Sequence, residues 1–124
     1  MNTLDFTFKI KADFLAVLAH PARLQLLEAL RSHGKTVGAL ALETQLSQPV
    51  TSKHLTLLRQ AGILASEQQG KTVTYRVADP GIFAVLRTVN TVLLAQMRRT
   101  ERDLKHLALP LAGRHPKGGR HGAH

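Results

Sequence analysis

In the stretch SQPVTSKHLTLLRQAGIL, residues 47–64, the side chains of Gln48, Pro49, Ser52, Lys53, Thr56 and Arg59 fall on one side of a helix that turns about 100° per residue. That side carries hydrogen-bond donors and positive charge but no acid, the chemistry needed to meet phosphates and base edges in a major groove. The opposite side holds Val50, His54, Leu57, Leu58 and Ala61, an apolar back with one imidazole. An ordinary solvated helix face is the alternative that this stretch alone leaves open.

The flanking sequence supplies elements to hold such a face in place. Ser47 is a good N-cap, because its hydroxyl can accept from the free amides of the next turn, and Gly62 closes the helix. A shorter helix, VGALALETQ, starts after Thr36 and ends before Leu46, so a tight turn over 45–47 joins two helices in a helix-turn-helix. Downstream, ILASEQQGKTVTYRV gives two β-prone runs around QQGK, where Gly70 can take the positive φ of a hairpin tip. Lys71 at the tip and Arg76 on the return strand make this hairpin a basic wing that can touch phosphates or enter a minor groove. A solvated turn residue is the alternative for Lys71.

Around this centre the chain reads as further helices. Phe6, Phe8 and Ile10 alternate as in a strand, yet Phe6, Ile10, Phe14, Val17 and Leu18 also fit helical spacing, and a helix is expected over 11–19. Pro21 suits the first turn of a second helix, PARLQLLEALRS, with Leu24, Leu27 and Leu30 as its stripe and Gly34 as its stop. With Asp79 as N-cap, a last helix is predicted over 80–107. Its stripe of Ile82, Leu86, Val89, Leu93, Met97, Leu104 and Leu107 is widened by Val85 and Val92. The predicted fold is mainly α with a small β-hairpin, a winged helix-turn-helix of about five helices and a two-stranded wing. Residues 1–109 are expected to form one DNA-binding and dimerisation domain, and 110–124 a disordered basic tail rich in His and Gly. So long a stripe exceeds what a domain this small covers. It predicts a homodimer through Phe14, Leu18, Leu86, Val89, Leu93 and Met97, an internal core helix being the alternative.

Composition narrows the partners. Seventeen Lys and Arg against eight acids give a net charge of +9 over 124 residues, so a polyanion is the first candidate, either nucleic acid or an anionic membrane surface. The longest apolar runs, GALAL and TVLLA, are about five residues, far below the roughly 20 that cross a bilayer. The N-terminus MNTLDFTFKIK lacks a basic start followed by an apolar block, which points to a cytoplasmic protein with no membrane partner. With no cysteine, disulfides, thiolate metal sites and a cysteine nucleophile are excluded. No paired carboxylates, Ser/His/Asp arrangement or Gly-rich phosphate loop is present, so an enzyme is not expected.

Three of these stretches together resemble the ArsR/SmtB family of small bacterial winged-helix regulators. LAHPARLQLLEAL is similar to that family's opening helix pair, SQPVTSKHLTLLRQAGIL to its recognition segment and GKTVTYRV to its wing, the likeness running over about 14–94. Thr51, where the family usually has an apolar residue, and Val50, where a small one is common, are departures. The resemblance implies a homodimer that binds a double-stranded DNA operator, by default as a repressor, and releases it when an inducer arrives. It also implies where inducers would bind. The family's thiolate motif would fall at Thr36 and Gly38, and its carboxylate and imidazole site at Asp79, Gly81, Val92 and Ala95, of which only Asp79 can ligate. A ligand-independent architectural DNA-binding protein and a module controlled by a partner protein are the rival expectations.

The histidines divide by position. His20 precedes Pro21 at a helix entrance and reads as a cap or packing residue, while His33 is expected in a last helical turn, where a protonated ring meets the negative dipole end. His54 reads as a structural hydrogen bond or a phosphate contact. Asp103 and His106 lie three apart on the last helix, followed by His115, His121 and His124 in the tail. Oxygen and imidazole donors without sulfur suit Ni(II), Co(II) or Zn(II), so these five are the candidate metal ligands of a chain that requires no cofactor to fold. A weak chelator or a basic arm on DNA is the alternative.

Overall fold

Asn2 begins the first helix by accepting the amide of Asp5 on its side-chain oxygen at 2.8 Å. The computed structural model describes residues 2–113, with side chains through 107. Helix α1 (Thr3–Leu18) therefore starts well before the expected residue 11. The Lys9–Asp13 pair at 2.8 Å, one turn apart, begins within the stretch whose apolar alternation looked strand-like.

α2 (Pro21–Ala29), β1 (Lys35–Thr36), α3 (Val37–Thr44), α4 (Gln48–Gln60), β2 (Leu64–Gln69), β3 (Thr72–Val77) and α5 (Gly81–Gly113) follow. The sheet is antiparallel in the order β1-β3-β2, with Lys35 opposite Tyr75 and Gln69 opposite Thr72. The wing is thus a hairpin with a third strand at its root. β1 is too short to leave a periodic signature in the sequence. It exists because Gly34 brings the incoming loop against β3, where an added Cβ would lie 2.9 Å from the Tyr75 carbonyl oxygen and 3.0 Å from Thr74 Cγ2. Gly34 is therefore a close-approach residue, not the stop of α2, which ends at Ala29. His33 in consequence lies in the connecting loop and not in a last helical turn.

The chain divides between Phe83 and Ala84 into two compact units. The first contains the core: Leu26, Leu27, Leu40, Leu55 and Leu58 are fully buried where α2, α3 and α4 pack together, with Leu64 and Tyr75 closing the sheet side. Truncating one of these leucines to alanine costs about 2–5 kcal/mol in such a setting. Of the expected α2 stripe Leu27 and Leu30 are buried, while Leu24 is 39% exposed and Leu26 is buried in its place. Leu18 is also a core residue at 5% exposure, so it is not available to face another chain. The second unit is the remainder of α5. Asp79 does cap this helix, its Oδ1 accepting the Gly81 amide at 2.8 Å. The expected boundary at 109/110 lies within α5, and residues 114–124 fall outside the described residues. No helix among the described residues is long and apolar enough to cross a membrane.

Candidate nucleic-acid interface

The turn between α3 and α4 is set by two local choices. Gln45 takes a left-handed conformation, φ 60°, with its amide bonded to the Ala41 carbonyl, and ends α3. Ser47 then starts α4, its hydroxyl accepting the Val50 amide at 3.3 Å and its carbonyl the Thr51 amide at 2.9 Å. Pro49 sits in the first helical turn, where an amide hydrogen would find no partner in the helix.

The inward face of α4 keeps His54 and Leu58 of the sequence expectation, with Leu57 half-buried, and takes Thr51 and Leu55 in place of Val50 and Ala61. Thr51, His54, Leu55 and Leu58 are buried, whereas Val50 is 43% exposed. Thr51 can be fully buried because its hydroxyl donates back to the Ser47 carbonyl at 2.9 Å, leaving its methyl to pack. The expected outward residues remain outward: Gln48, Pro49, Lys53 and Arg59 are exposed, and Ser52 and Thr56 are half-buried. The first turn of α4 contains no acid to offset the positive end of its dipole, which leaves it open to phosphate.

His54 is held from behind this face. Its Nδ1 accepts from Arg23 Nε at 3.2 Å, and its ring lies 4.5 Å from that of His20 at a tilt of 55°. Burial first, and then the charges of His20, Arg23 and Lys53, keep its pKa below the ordinary 6.5. His54 is therefore held by a structural hydrogen bond, the first of its two expected roles. His20 caps α2, its Nδ1 accepting the Ala22 amide at 3.1 Å.

On the wing, Gly70 has φ 62°, and Lys71 beside it is exposed at the tip. Gln68, absent from the sequence-based site, donates to the Gly70 carbonyl at 3.2 Å and stabilises that tip. The QQGK run was its only signal. Arg76 is on the return strand β3 as expected, where it pairs with Ala65 near the root of the hairpin and lines a cavity with His33 and Phe83.

The remaining candidates separate by element. Phe14 is exposed on α1, and Val89, Leu93 and Met97 are exposed on α5, with Leu86 half-buried. Among the described residues, no group of three or more His, Asp or Glu side chains is placed to hold a metal ion. Asp103 and His106 are exposed on α5, while His115, His121 and His124 lie outside the described residues.

Comparison with known proteins agrees with this geometry. Residues 20–66 match the model described as "Bacterial regulatory protein, arsR family". The chain is similar to the uncharacterized HTH-type transcriptional regulator Rv0081 of Mycobacterium tuberculosis, with 37% identity over 87 residues, 69% of this chain and 76% of that protein. The Rv0081 crystal structure matches with a TM-score of 0.70 at 33% identity, covering 81% of this chain and 98% of that one. The biofilm growth-associated repressor of Agrobacterium fabrum is 33% identical over 84 residues, 68% of this chain and 72% of that protein.

Proposed function

The chain belongs to the ArsR family of winged-helix bacterial regulators, DNA-binding proteins and not enzymes, and from that premise we propose that it is a homodimeric, operator-specific repressor. The observation that carries this reading is the outward face of α4, where Gln48, Ser52, Lys53, Thr56 and Arg59 present donors and cations without an acid. Gln48 and Arg59 are assigned to base edges, Lys53 and the wing-tip Lys71 to phosphates, and Pro49, Ser52 and Thr56 to the groove surface.

Dimerisation is supported by apolar exposure on two helices, each considered by itself. α1 exposes Phe6, Phe8, Ile10 and Phe14, and α5 exposes Val89, Leu93 and Met97, a density that single soluble helices do not leave open to water. A two-fold pair would present two α4 helices to a pseudo-palindromic site. Repression is supported by the name of the Agrobacterium relative.

The test is competition binding of the full chain to DNA upstream of its own gene against random duplex at fixed salt. A preference of roughly 10³-fold or more is expected. Equal affinity for both, with a steep salt dependence, would replace the reading with charge-driven DNA coating. A metal-responsive version would use Asp103 and His106, which supply only two of the four or six donors that Zn(II), Co(II) or Ni(II) takes, so His115, His121 or His124 would have to complete the site. Truncation after Leu109 should then abolish any effect of Ni(II) on operator binding, and an unchanged effect would exclude that ligand set.

A further inference from the structure

A cavity of about 250 Å³ opens where the loop after α2 meets β3 and the first turn of α5, entirely within the first unit. Its apolar wall is formed by Val77, Pro80 and Phe83, and its polar rim by Ser32, His33 and Arg76. We propose that this cavity binds a small organic carboxylate with an apolar body, held by Arg76 and His33 against Phe83.

The charge balance favours an anion. Arg31 also lines the cavity, but its guanidinium is already committed, donating to both Glu28 oxygens at 2.9 and 2.8 Å while lying 4.5 Å from the centre of the Phe83 ring. That pairing holds the Glu28 carboxyl below its ordinary pKa and fixes the position of Phe83. Arg76 enters into none of the ion pairs among the described residues, and no carboxylate lines the cavity. An arginine fork beside an apolar wall matches the two ends of a carboxylic acid anion, with two parallel N–H donors for the oxygens and a dry surface for the carbon skeleton.

His33 adds a second polar partner. The Gly34 carbonyl, 2.9 Å from His33 Nδ1, can only accept, so Nδ1 donates to it, and a bound carboxylate accepts from Nε2–H of the imidazolium form of the ring. Gly34 is what makes the arrangement possible, because its missing Cβ lets the loop carrying His33 approach the backbone of β3 beside Arg76. Inorganic phosphate would satisfy the rim but would leave the wall of Val77, Pro80 and Phe83 wet. A neutral molecule would forgo the charge-assisted hydrogen bonds that Arg76 can donate.

In a regulator such a ligand would be a signal, since Arg76 is on the return strand of the wing and Phe83 is in the first turn of α5. That consequence rests on the DNA-binding reading, whereas the binding site itself does not. The test is an amide NMR titration of the full chain, without DNA, using benzoate and 3-methylbutanoate, with benzamide and inorganic phosphate as controls. The expected result is saturable shifts at His33, Gly34, Arg76, Val77 and Phe83 with at least one of the two carboxylates, and neither control should reproduce them. R76Q, on a solvent-exposed position and checked by an otherwise native spectrum, should weaken binding about tenfold or more. F83L, which leaves Arg76 in place, should weaken the benzoate response. The proposal is overturned if neither carboxylate shifts these amides at roughly 10 mM, if R76Q binds as the native chain does, or if phosphate alone gives the same saturating shifts.

Discussion

Arg23 and His54, 31 residues apart in sequence, are joined by a 3.2 Å hydrogen bond in which the guanidinium Nε donates to the imidazole Nδ1. Because Nδ1 accepts, the neutral ring must carry its proton on Nε2. The same guanidinium donates to the Val17 carbonyl at 2.9 Å. One side chain on α2 therefore ties the end of α1 to the buried side of α4.

This bond has a pH dependence of definite sign. In the folded state burial and three nearby cationic or basic groups, His20, Arg23 and Lys53, disfavour the imidazolium of His54 and lower its pKa. The unfolded chain takes up that proton more readily, so stability from this site is intact above about pH 6.5 and declines as pH falls through that value toward the lower folded pKa. Denaturant midpoints at about pH 7.5 and about pH 5.5 should differ less in His54→Gln than in the native chain. Equal differences in the two proteins would show that other groups govern the acid response.

Removing the donor should be costly at neutral pH as well. Arg23→Met keeps much of the side-chain length but leaves His54 Nδ1 and the Val17 carbonyl without that partner, and a loss of about 1–3 kcal/mol is expected. Urea unfolding of Arg23→Met, His54→Gln and the double variant should give a non-additive cycle. Strict additivity would mean that the two residues act independently.

Two substitutions on α4 should separate base reading from phosphate contact. Gln48→Ala is expected to lose about 1–3 kcal/mol of discrimination between operator and random DNA. Lys53→Ala should weaken both alike and reduce the salt slope by about 1. Fluorescence anisotropy over a salt series measures both quantities, and identical behaviour of the two variants would rule out these separate roles.

Charge placed on the exposed face of α5 should divide the dimer. Leu93→Glu, at a position 49% exposed, is expected to shift sedimentation from two chains to one without lowering helicity. An unchanged dimer would place the interface elsewhere.

Gly34→Ala should destabilise the first unit by about 1–3 kcal/mol, because the new Cβ meets backbone and not a flexible side-chain end. Thermal unfolding provides the measurement. A neutral result would mean that β1 can move away from β3 at little cost.

Much of this architecture can be read from the chain because it is locally encoded. Thr36, Ser47 and Asp79 cap the helices they precede, and Gly70 turns the hairpin, each through atoms a few residues away. The sequence was less informative where side-chain type and environment disagree. Val50 looks like a core residue and Thr51 a surface one, yet the Thr51 back-bond to Ser47 reverses their burial. The early start of α1 depends on Asn2, a single capping side chain outweighed in the pattern by alternating Phe6, Phe8 and Ile10. Leu18 carries no sign of whether its own core or a second chain covers it. β1 and the position of Arg76 depend on the contact at Gly34, which joins segments some 40 residues apart in sequence and has no periodic signature.

The division of labour on α4 also bears on how such a protein changes over generations. Its anchoring is concentrated in Thr51, His54, Leu55 and Leu58, while Gln48, Lys53 and Arg59 stand clear of the packed interior. Mutations at the exposed positions therefore carry little folding penalty, typically within about 0.5 kcal/mol. A duplicated copy of the gene can accumulate new letters on that face and acquire a different address on the chromosome before its scaffold is ever put at risk.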